Sequence, residues 1–434
     1  MKLSSPEEAV RAIKSGDRIV LANLCAEPHL MPRLLMDRAH ELDGVRLFHC
    51  RPFGSFVERC LEPGMEEHLR CVTVFAGGVR NLLQLIKDGR ADFYPIPLSR
   101  IPWLFRAGPY RPDVFITTLS PPDEQGYCSL GVSVDYARAA LETAGVVIGE
   151  MNESMPRTSG DSLVHTSQID YMVRVAESIY EMPSAEITSD ERKLGEQVAG
   201  LVEDEATIQI GFGSVSEAVT SFLKEKKDLG MHTEMLPESA MTLIEEGALT
   251  GGKKTIHQGK IVCTFCAGTK RLYDWLNENP QIEMRTVDYT NDSRIIALNN
   301  KMTSINTALQ VDLYGNIYSD SLGFDLYSGA GGQPDFMFGT QLCPNGKSII
   351  VLLSTASKGS ISRIVVHPKM SENPRAPSMP TVTRFHSDYV VTEWGVASLR
   401  NLTVRERAQA LIEIAHPDFR DELRRDAKKV GLTS

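Results

Sequence analysis

The chain has 434 residues, of which 42% are hydrophobic and 24% are charged, and its formal net charge at pH 7 is −10. This composition is typical of a folded globular protein and excludes an intrinsically disordered chain. The length exceeds what one hydrophobic core usually supports, so we expect two domains. Because the chain is acidic overall and has no block of basic residues, the sequence disfavours binding to nucleic acid or to an anionic membrane.

The N-terminus predicts a helix rather than a secretion signal, because Ser5 can cap it, Pro6 suits its first position and Glu8 completes a capping box. No apolar run reaches the about 20 residues that a membrane-spanning helix needs. Eight scattered cysteines are most simply the free thiols of a reduced, cytoplasmic protein. Cys263 and Cys266 form a CxxC pair, but nothing completes a tetrahedral site, so we interpret both as structural and expect no metal.

Short apolar segments alternate with helical patterns through the first half of the chain. The segment 18–22 is a predicted strand, and a loop at 25–28 separates it from a helix that begins near Leu30. Another helix is predicted at 79–87, and further strands are predicted at 45–48, 72–75, 113–117 and 146–148. This alternation predicts an open, parallel α/β sheet whose active face lies at the carboxyl ends of the strands.

The second half of the chain restarts this plan with a strand at 206–210, a loop at 211–213 and a helix at 216–226. The segments 123–131 and 312–323 also resemble each other, since both read as a turn that leads into Ser-Leu-Gly. We interpret this likeness as an internal duplication. The sequence therefore predicts two similar α/β domains, 1–186 and 187–434.

Three further local features complete the predicted organisation. Thr188 and Glu191 are expected to form a capping box at the start of the second domain. The segment 368–380 is a proline-rich loop, and 404–414 is an amphipathic helix that ends before Pro417.

The segment 323–347 concentrates six glycines just before the apolar run 349–353. Glycine lets the backbone approach a ligand closely and adopts a positive φ without strain. Two interpretations stay open from this segment alone. It is either an ordinary glycine-rich turn or a cradle that presents backbone N–H groups to a ligand.

Few residues outside the glycines carry a recognisable chemistry. The GxG at 211–213 lacks the third glycine of a dinucleotide fingerprint, because Ser216 occupies that position, so only a generic anion-binding loop remains. The motifs of serine hydrolases, zincins and P-loop proteins are absent. Glu234 and Glu393 each end an apolar segment, and Glu234 is a candidate nucleophile as well as a possible surface carboxylate. Lys358 either meets an anion or is an ordinary surface residue.

The segment 329–352, GAGGQPDFMFGTQLCPNGKSIIVL, closely resembles a glycine-rich element of the butyryl-CoA/4-hydroxybutyrate CoA-transferase branch of the acetyl-CoA hydrolase/transferase family. Five other segments resemble the family in the same order along the chain: LGMHTEM (229–235), INTALQVDLYGNIYSDSLG (305–323), STASKGSISRI (354–364), YVVTEWGVASLR (389–400) and IAHPDFR (414–420). The resemblance implies two related α/β domains of the NagB/RpiA/CoA-transferase type.

The resemblance also implies a chemistry. Glu234 matches the family nucleophile, which attacks an acyl-CoA thioester and passes through a covalent glutamyl-CoA thioester in a ping-pong reaction. Backbone N–H groups of Val215 and Gly332 match the donors that stabilise the oxyanion. Coenzyme A is then a substrate, and no permanently bound cofactor is expected. The residues that match positions contacting CoA are Asn291, Gly329, Gly331, Gly332, Gln333, Phe336, Lys358 and Glu393.

The positions at which this sequence departs from the family pattern leave the identity of the acid substrate undetermined. Thr340, Cys343 and Asn345 replace expected residues in the glycine-rich element, and 236–239 differs after the glutamate. The acid is therefore 4-hydroxybutyrate, butyrate or acetate, or a dicarboxylate such as succinate or itaconate. The last option follows if Arg51, in a pocket expected near 25–31 and 51–56, holds a second carboxylate.

Two alternatives to an acyl-CoA:carboxylate CoA-transferase stay open. An acyl-CoA hydrolase on the same scaffold would let water intercept the glutamyl-CoA ester. A non-catalytic ligand-sensing module of the same fold would not need Glu234. In each case we expect a homodimer.

Overall fold

The computed structural model describes residues 3–53, 56–184, 186–211, 213–367 and 378–433. The chain forms two compact units, the first comprising Met1–Pro183 and Ile261–Asn291 and the second Ser184–Lys260 and Asp292–Ser434. These units differ from the predicted division at residues 186 and 187 in two segments, because 184–186 belongs with the second unit and 261–291 belongs with the first.

The first unit contains a sheet of seven parallel strands in the order β4-β3-β2-β1-β5-β6-β7. All six residues of β5 are buried, as expected of a strand covered on both faces. This sheet confirms the predicted open parallel α/β architecture. Its strands are β1 (Arg18–Leu21), β2 (Val45–His49), β3 (Leu69–Thr73), β4 (Asp92–Phe93), β5 (Val114–Leu119), β6 (Val146–Asn152) and β7 (Tyr171–Val175).

The helices of the first unit are short. The first begins at Pro6, and the Ser5 hydroxyl accepts a hydrogen bond from the Glu8 N–H at 3.1 Å, as a helix cap does. The α-helices are Pro6–Val10, Leu30–Asp37, Phe56–Arg59, Met65–His68, Arg80–Lys87, Ile101–Arg106, Ala137–Thr143, Lys270–Leu276 and Val287–Thr290. The residues of the first unit also form two strand pairs outside this seven-stranded sheet: Tyr127–Ser129 is antiparallel to Leu163–His165, and Ile261–Cys263 is parallel to Ile282–Met284.

The segment 261–291 is attached to the first unit by backbone and side-chain contacts. The N–H of Val134 donates to the Thr264 carbonyl at 3.0 Å, and the N–H of Cys266 donates to the Val132 carbonyl at 2.7 Å. Arg106 forms an ion pair with Asp288 at 2.7 Å. These contacts join residues far apart in sequence, so a search for a single polar boundary does not reveal them.

The second unit contains a row of hydrogen-bonded strands in the order β9-β8-β10-β11-β12-β13, which are parallel except for the last pair. The strands are β8 (Thr207–Ile210), β9 (Gly230–His232), β10 (Thr303–Thr307), β11 (Lys347–Val351), β12 (Tyr389–Thr392) and β13 (Gly395–Ser398). The predicted strand 206–210 is therefore confirmed, and so is the plan of a second α/β sheet.

Helices and short strands complete the second unit. The α-helices are Ser189–Leu201, Ser214–Leu223, Ser239–Glu245, Ser293–Ala297, Gln333–Leu342, Val404–Glu413 and Pro417–Lys429. The predicted capping box of Thr188 and Glu191 is present at the first of them. The short strands are Met235–Pro237, Gln310–Asp312, Ile317–Tyr318, Ser321–Leu322, Asp325–Leu326, Thr355–Ala356, Ile361–Ser362 and Ile364–Val365.

The two units share an identical turn, which supports the predicted duplication. Oδ1 of Asp123 accepts the backbone N–H groups two and four residues later, at 3.0 and 2.8 Å, and Oδ1 of Asp312 does the same at 3.0 and 2.9 Å. The third residue after each aspartate is a glycine, Gly126 or Gly315, with φ of 85° or 90°. An L side chain is strained at such a φ, which accounts for glycine in both copies.

Three further expectations concern the chain as a whole. All eight cysteines are free and buried. None of the described helices has the length and hydrophobicity that a bilayer-spanning segment requires. Most of the predicted proline-rich loop, residues 368–377, lies outside the described residues.

Candidate active site

The candidate residues of the second unit follow successive strands of one sheet. Glu234 comes two residues after β9, and Val215 lies in the helix that follows β8. The glycine-rich element is tied to the end of β10, while Lys358 and Glu393 follow β11 and β12. Because carboxyl ends of parallel strands meet at the same edge of a sheet, these residues share that edge.

The backbone around Glu234 is held by the residue before it. Thr233 is fully buried, and its hydroxyl donates to the carbonyl of Met235 at 2.9 Å. The same hydroxyl lies 3.4 Å from the carbonyl of Ile210, the last residue of β8. Glu234 itself is only partly buried. Thr233 therefore fixes the turn that presents the Glu234 carboxylate at the sheet edge.

Two buried side chains support the strand that leads to Glu234. The ammonium of Lys254 donates to the carbonyl oxygens of Met231 and Lys260 at 2.9 and 3.0 Å, although Lys254 is only 4% exposed. The rings of His232 and Phe336 lie 6.3 Å apart between centroids. The second contact places the Glu234 strand beside the helix of the glycine-rich element.

Val215 is the second residue of the helix Ser214–Leu223. The first four N–H groups of a helix have no partner within it, so the Val215 N–H is directed out of the helix N-terminus. The preceding hydroxyl, that of Ser214, donates to the carboxylate of Glu191. Burial raises the pKa of Glu191, but hydrogen bonds from Ser214 and Thr188 outweigh it and hold this pKa below its usual value. The ionised carboxylate thus anchors the start of the helix.

Gly332 is the N-cap of the helix Gln333–Leu342, so its N–H group also lies at a helix N-terminus. The side-chain amide of Gln333 donates to the carbonyl of Thr307 at 3.1 Å. Since Thr307 is the last residue of β10, this bond brings the helix start to the sheet edge. Gly331 has a φ of 58°, and both Gly329 and Gly331 are buried.

A reciprocal amide pair links the two strands between these helix starts. Nε2 of Gln209 donates to Oδ1 of Asn306 at 3.2 Å, and Nδ2 of Asn306 donates to Oε1 of Gln209 at 3.0 Å. Gln209 lies in β8 and is 3% exposed. A buried and a partly buried amide that satisfy each other help to fix the relative register of β8 and β10. Nothing in the sequence signals this pair, because its members are 97 residues apart.

Glu393 is already engaged by neighbouring protein groups. Its carboxylate accepts hydrogen bonds from both the N–H, at 2.8 Å, and the hydroxyl of Ser354. Burial lowers the pKa of Arg363, and the nearby charge of Glu393 partly offsets this effect. Lys358, in contrast, is exposed at the tip of the hairpin formed by Thr355–Ala356 and Ile361–Ser362.

Two predicted CoA contacts have different surroundings. Phe336 is 1% exposed and packs with Ile296, Met302 and Cys343. This burial favours a packing role for its side chain over the predicted contact with CoA. Asn291 is the last residue of the first unit and is 1% exposed at the end of the helix Val287–Thr290.

Comparison with family models matches most of the chain. The acetyl-CoA hydrolase/transferase N-terminal domain matches residues 1–182, and the C-terminal domain of the same family matches residues 268–427. The second match begins within the segment that the structure assigns to the first unit.

Curated relatives cover nearly the full chain. A 4-hydroxybutyrate coenzyme A transferase from Clostridium kluyveri is 42% identical over 99% of this chain and 97% of its own length. A succinyl-CoA:cyclohexane-1-carboxylate CoA transferase from Geobacter metallireducens is 40% identical over 99% of this chain and 96% of its own. A butyryl-CoA:acetate CoA-transferase from Anaerostipes caccae is 35% identical over 99% and 97%.

Comparison with solved structures also places the chain among CoA-transferase relatives. RipA from Yersinia pestis superposes with a TM-score of 0.89 at 35% identity, covering 99% of this chain and 98% of its own. A 4-hydroxybutyrate CoA-transferase from Porphyromonas gingivalis has a TM-score of 0.84 at 35% identity, with the same coverage. The predicted family is confirmed: the chain belongs to the acetyl-CoA hydrolase/transferase family.

Proposed function

We propose that this protein is an acyl-CoA:carboxylate CoA-transferase in which Glu234 is the nucleophile. The observation that carries the proposal is the arrangement along one sheet edge. A carboxylate follows β9, and the helices that begin beside the ends of β8 and β10 direct backbone N–H groups out of their N-termini. A carboxylate nucleophile next to such donors suits acyl transfer.

The proposed reaction conserves the thioester. A Glu234 oxygen attacks the acyl-CoA carbonyl and the C–S bond breaks. CoA thiolate departs, and an acyl-glutamyl anhydride forms on the protein. The thiolate then attacks the glutamyl carbonyl and releases the donor carboxylate, which leaves a glutamyl-CoA thioester. The acceptor carboxylate attacks this thioester to form a new anhydride and free the thiolate. Attack of the thiolate on the new acyl carbonyl returns the Glu234 carboxylate.

The N–H groups of Val215 and Gly332 support this sequence of steps physically. Each attack places negative charge on a carbonyl oxygen, and a helix N-terminus carries a partial positive charge. Donors that are already oriented need no reorganisation as this charge develops, and losing one typically costs about 2.7–4 kcal/mol.

Contacts remote from the thioester would hold CoA during these exchanges. We assign them to Asn291, Lys358, Glu393 and the glycine-rich element from Gly329 to Gln333. Binding energy from the contacts other than Lys358 can be used to position the thioester against Glu234, so it raises turnover and not only affinity, whereas the exposed Lys358 would contribute to affinity alone.

The acid substrates are proposed by analogy with the relatives. Their names include 4-hydroxybutyrate, butyryl-CoA with acetate, and succinyl-CoA, and we extend the range to other small dicarboxylates such as itaconate. We also propose a cytoplasmic homodimer. Eight buried free thiols suit a reducing compartment, and the mass of the purified protein by light scattering tests the dimer.

The covalent step has a direct test. The protein is incubated with acetyl-CoA alone, treated with borohydride and digested, and the peptide containing Glu234 is examined by mass spectrometry. Reduction of a glutamyl-CoA thioester converts the side chain to an alcohol. We expect this product in the wild type and in the control Glu225→Gln, where an exposed glutamate of the same unit is changed. Its absence from the wild type, or its presence in Glu234→Gln, would falsify the mechanism.

An assay with and without an acceptor acid distinguishes the proposed transferase from the hydrolase alternative. An acetyl-CoA hydrolase from Candida albicans is 27% identical over 70% of this chain. A transferase converts acetyl-CoA into acetate and a new acyl-CoA when a second acid is added and releases little free CoA with or without that acid, whereas a hydrolase releases free CoA from acetyl-CoA alone. Release of free CoA at a rate that does not depend on the acceptor acid would support the hydrolase. Failure of any acyl-CoA to react would support the non-catalytic ligand-sensing module.

A further inference from the structure

Arg363 is tied to the carboxyl edge of the second unit's sheet. Its backbone N–H donates to the carbonyl of Ser354 at 2.8 Å, and its own carbonyl accepts the N–H of Val311 at 2.9 Å. Ser354 follows β11 and also binds Glu393, which follows β12. The place of Arg363 at this edge is therefore fixed by its backbone, and its side chain is not needed to hold it there.

The side chain of Arg363 is a cation without a partner in the part of the chain that the structure describes. Its guanidinium forms neither a hydrogen bond nor an ion pair with the described residues, and none of its nitrogen atoms is buried and unsatisfied. The residue is partly exposed, so these nitrogen atoms are open to solvent. Two other arginines of the same unit differ, because Arg400 pairs with Asp388 at 2.6 Å and Arg424 with Glu413 at 2.7 Å. A cation that lies at the edge with its donors unused is suited to an anionic ligand.

Glu393 acts on Arg363 without taking up its donors. Burial lowers the pKa of Arg363, and the charge of Glu393 partly offsets this decrease. Both oxygens of the Glu393 carboxylate are already engaged by Ser354, one by its N–H at 2.8 Å and the other by its hydroxyl. Glu393 therefore favours the charged form of the guanidinium and leaves its N–H groups available.

The hairpin that precedes Arg363 adds a second positive charge. Thr355–Ala356 pairs antiparallel with Ile361–Ser362, and Lys358 is exposed at the tip. Ser357 and Lys358 have φ of 49° and 57°, which is a strained conformation for residues other than glycine. Strain of this kind is typical of segments that clamp a ligand. The hairpin thus carries positive charge at its tip, in Lys358, and directly after its second strand, in Arg363.

The spacing of the strands places Arg363 about one pantetheine length from Glu234. Neighbouring strands lie about 4.8 Å apart, so the path from β9 across β8 and β10 to β11 spans about 14 Å. The arm of CoA between its sulfur and its diphosphate has about as many bonds as four extended residues of a polypeptide, and it reaches about 14 Å. A thioester held at Glu234 can therefore have its diphosphate at the end of β11, where Ser354 holds Arg363.

We propose that Arg363 binds the diphosphate of CoA, through paired N–H···O bonds from its guanidinium to phosphate oxygens. Planar guanidinium groups match phosphate oxygens in this geometry, and charge-assisted bonds of this kind are about twice as strong as neutral ones. The inference rests on the proposed CoA-transferase function, in which Glu234 reacts with the other end of the same substrate. The 3′-phosphate of CoA and the carboxylate of the acid substrate share this anion chemistry, and the experiment separates the three sources.

Three acetyl donors with different phosphates test the assignment, with butyrate as the acceptor. Acetyl-CoA has the diphosphate and the 3′-phosphate, acetyl-dephospho-CoA has only the diphosphate, and S-acetylpantetheine has neither. In Arg363→Gln we expect kcat/KM for the first two donors to fall by the same factor, about 10- to 100-fold, as the loss of a charged hydrogen bond predicts. The value for S-acetylpantetheine should stay within about threefold of the wild type, because this donor has no phosphate to lose.

Two further variants serve as controls. Arg424→Gln removes the same charge from an exposed arginine that already has Glu413 as its partner. It should leave the values for all three donors unchanged. Arg363→Lys keeps the positive charge but not the planar pair of donors, so its loss with acetyl-CoA should be smaller than that of Arg363→Gln.

Three results would contradict the proposal. Equal losses with all three donors would show that Arg363 has a structural role. A loss with acetyl-CoA but not with acetyl-dephospho-CoA would assign the bound anion to the 3′-phosphate. A rise in KM for butyrate with every donor would assign it to the carboxylate of the acid.

A binding measurement gives a second readout that needs no turnover. ADP carries the diphosphate of CoA without a thioester, and AMP has one phosphate fewer. ADP should raise the melting temperature of the wild type more than AMP does, and this difference should vanish in Arg363→Gln. If no acyl-CoA is converted but the ADP shift depends on Arg363, the transferase function fails and the diphosphate site stands. If the substitution leaves the ADP shift unchanged, the site is refuted.

Discussion

Gln333 joins the glycine-rich element to the sheet through the Thr307 carbonyl, at 3.1 Å. Its Nε2 is the donor, and its Oε1 is buried without a hydrogen-bond partner among the described residues. Gln333 is 7% exposed and directly follows Gly332. The Gln333 side-chain amide therefore helps to set the position of the Gly332 N–H relative to β10, together with the buried packing of Phe336.

Replacing Gln333 with Leu should lower kcat by a larger factor than it raises KM for acyl-CoA. The loss of a hydrogen bond worth about 1–1.5 kcal/mol frees the helix start and misplaces the Gly332 donor, so we expect a decrease of about tenfold. Gln341→Ala is the control, because Gln341 is exposed near the other end of the same helix. A variant Gln333→Leu with wild-type kcat would show that Gly332 is held by other contacts.

Val215→Pro removes the proposed oxyanion donor without removing the helix. The chain already has proline at the second position of two helices, as Pro334 in Gln333–Leu342 and Pro102 in Ile101–Arg106. We expect kcat to fall about 100- to 1000-fold. Val215→Ala keeps the N–H group and should stay within a few-fold of the wild type. Similar rates for the two variants would remove Val215 from the oxyanion site.

Lys358→Ala should raise KM for acyl-CoA and leave kcat nearly unchanged. Lys358 is exposed, so its proposed contact with CoA would be a screened interaction that contributes equally to ground and transition states. We expect a three- to tenfold rise in KM at low ionic strength that shrinks as salt is added. Lys224→Ala changes another exposed lysine of the same unit and should have no such effect. A change in kcat alone would contradict this role.

Glu150 caps a helix from a neighbouring strand. It lies in β6, is fully buried, and its carboxylate accepts the backbone N–H groups of His29, Leu30 and Met31 at 2.8, 2.9 and 2.6 Å. Burial raises its pKa to about 7, although these three bonds and the helix start favour the charged form. The charge of Glu177 adds to the increase.

This raised pKa predicts a pH-dependent stability. The folded chain holds the Glu150 proton to about pH 7, whereas the unfolded chain releases it near 4.5. The contribution to the free energy of unfolding is therefore full below about pH 4.5 and is lost as the pH rises to about 7. Urea unfolding between pH 5 and 7.5 should show a steeper loss in the wild type than in Glu150→Gln, which does not titrate. Equal slopes would mean that the three N–H groups outweigh burial.

Local sequence patterns were sufficient to predict many of the helices and strands. The Thr188–Glu191 capping box, the strand 206–210 and the helix 404–414 each form close to where they are expected, because caps and apolar periodicity depend on neighbours within a few residues. The boundary of β3 is an exception. The strand is Leu69–Thr73 rather than 72–75, since its five-residue register with β2 decides its ends.

The candidate site was predictable in part. Glu234, Val215 and Gly332 came from a family resemblance, and their catalytic roles stay proposals. The residues that hold them in place were missed. Thr233, Lys254 and the pair Gln209–Asn306 carry no motif, because each acts through a hydrogen bond whose other member is distant in sequence or is a backbone carbonyl.

The amino-acid sequence by itself determined the class of fold, the repeated turn at Asp123 and Asp312, and the family. These depend on local hydrogen bonds, on the spacing of apolar residues and on recognisable motifs. Only the tertiary structure decided that 261–291 belongs with the first unit and that Arg51 has no acidic partner among the described residues. Both facts concern which distant groups meet, and a buried charge reveals its missing counter-ion only when every neighbour is in place.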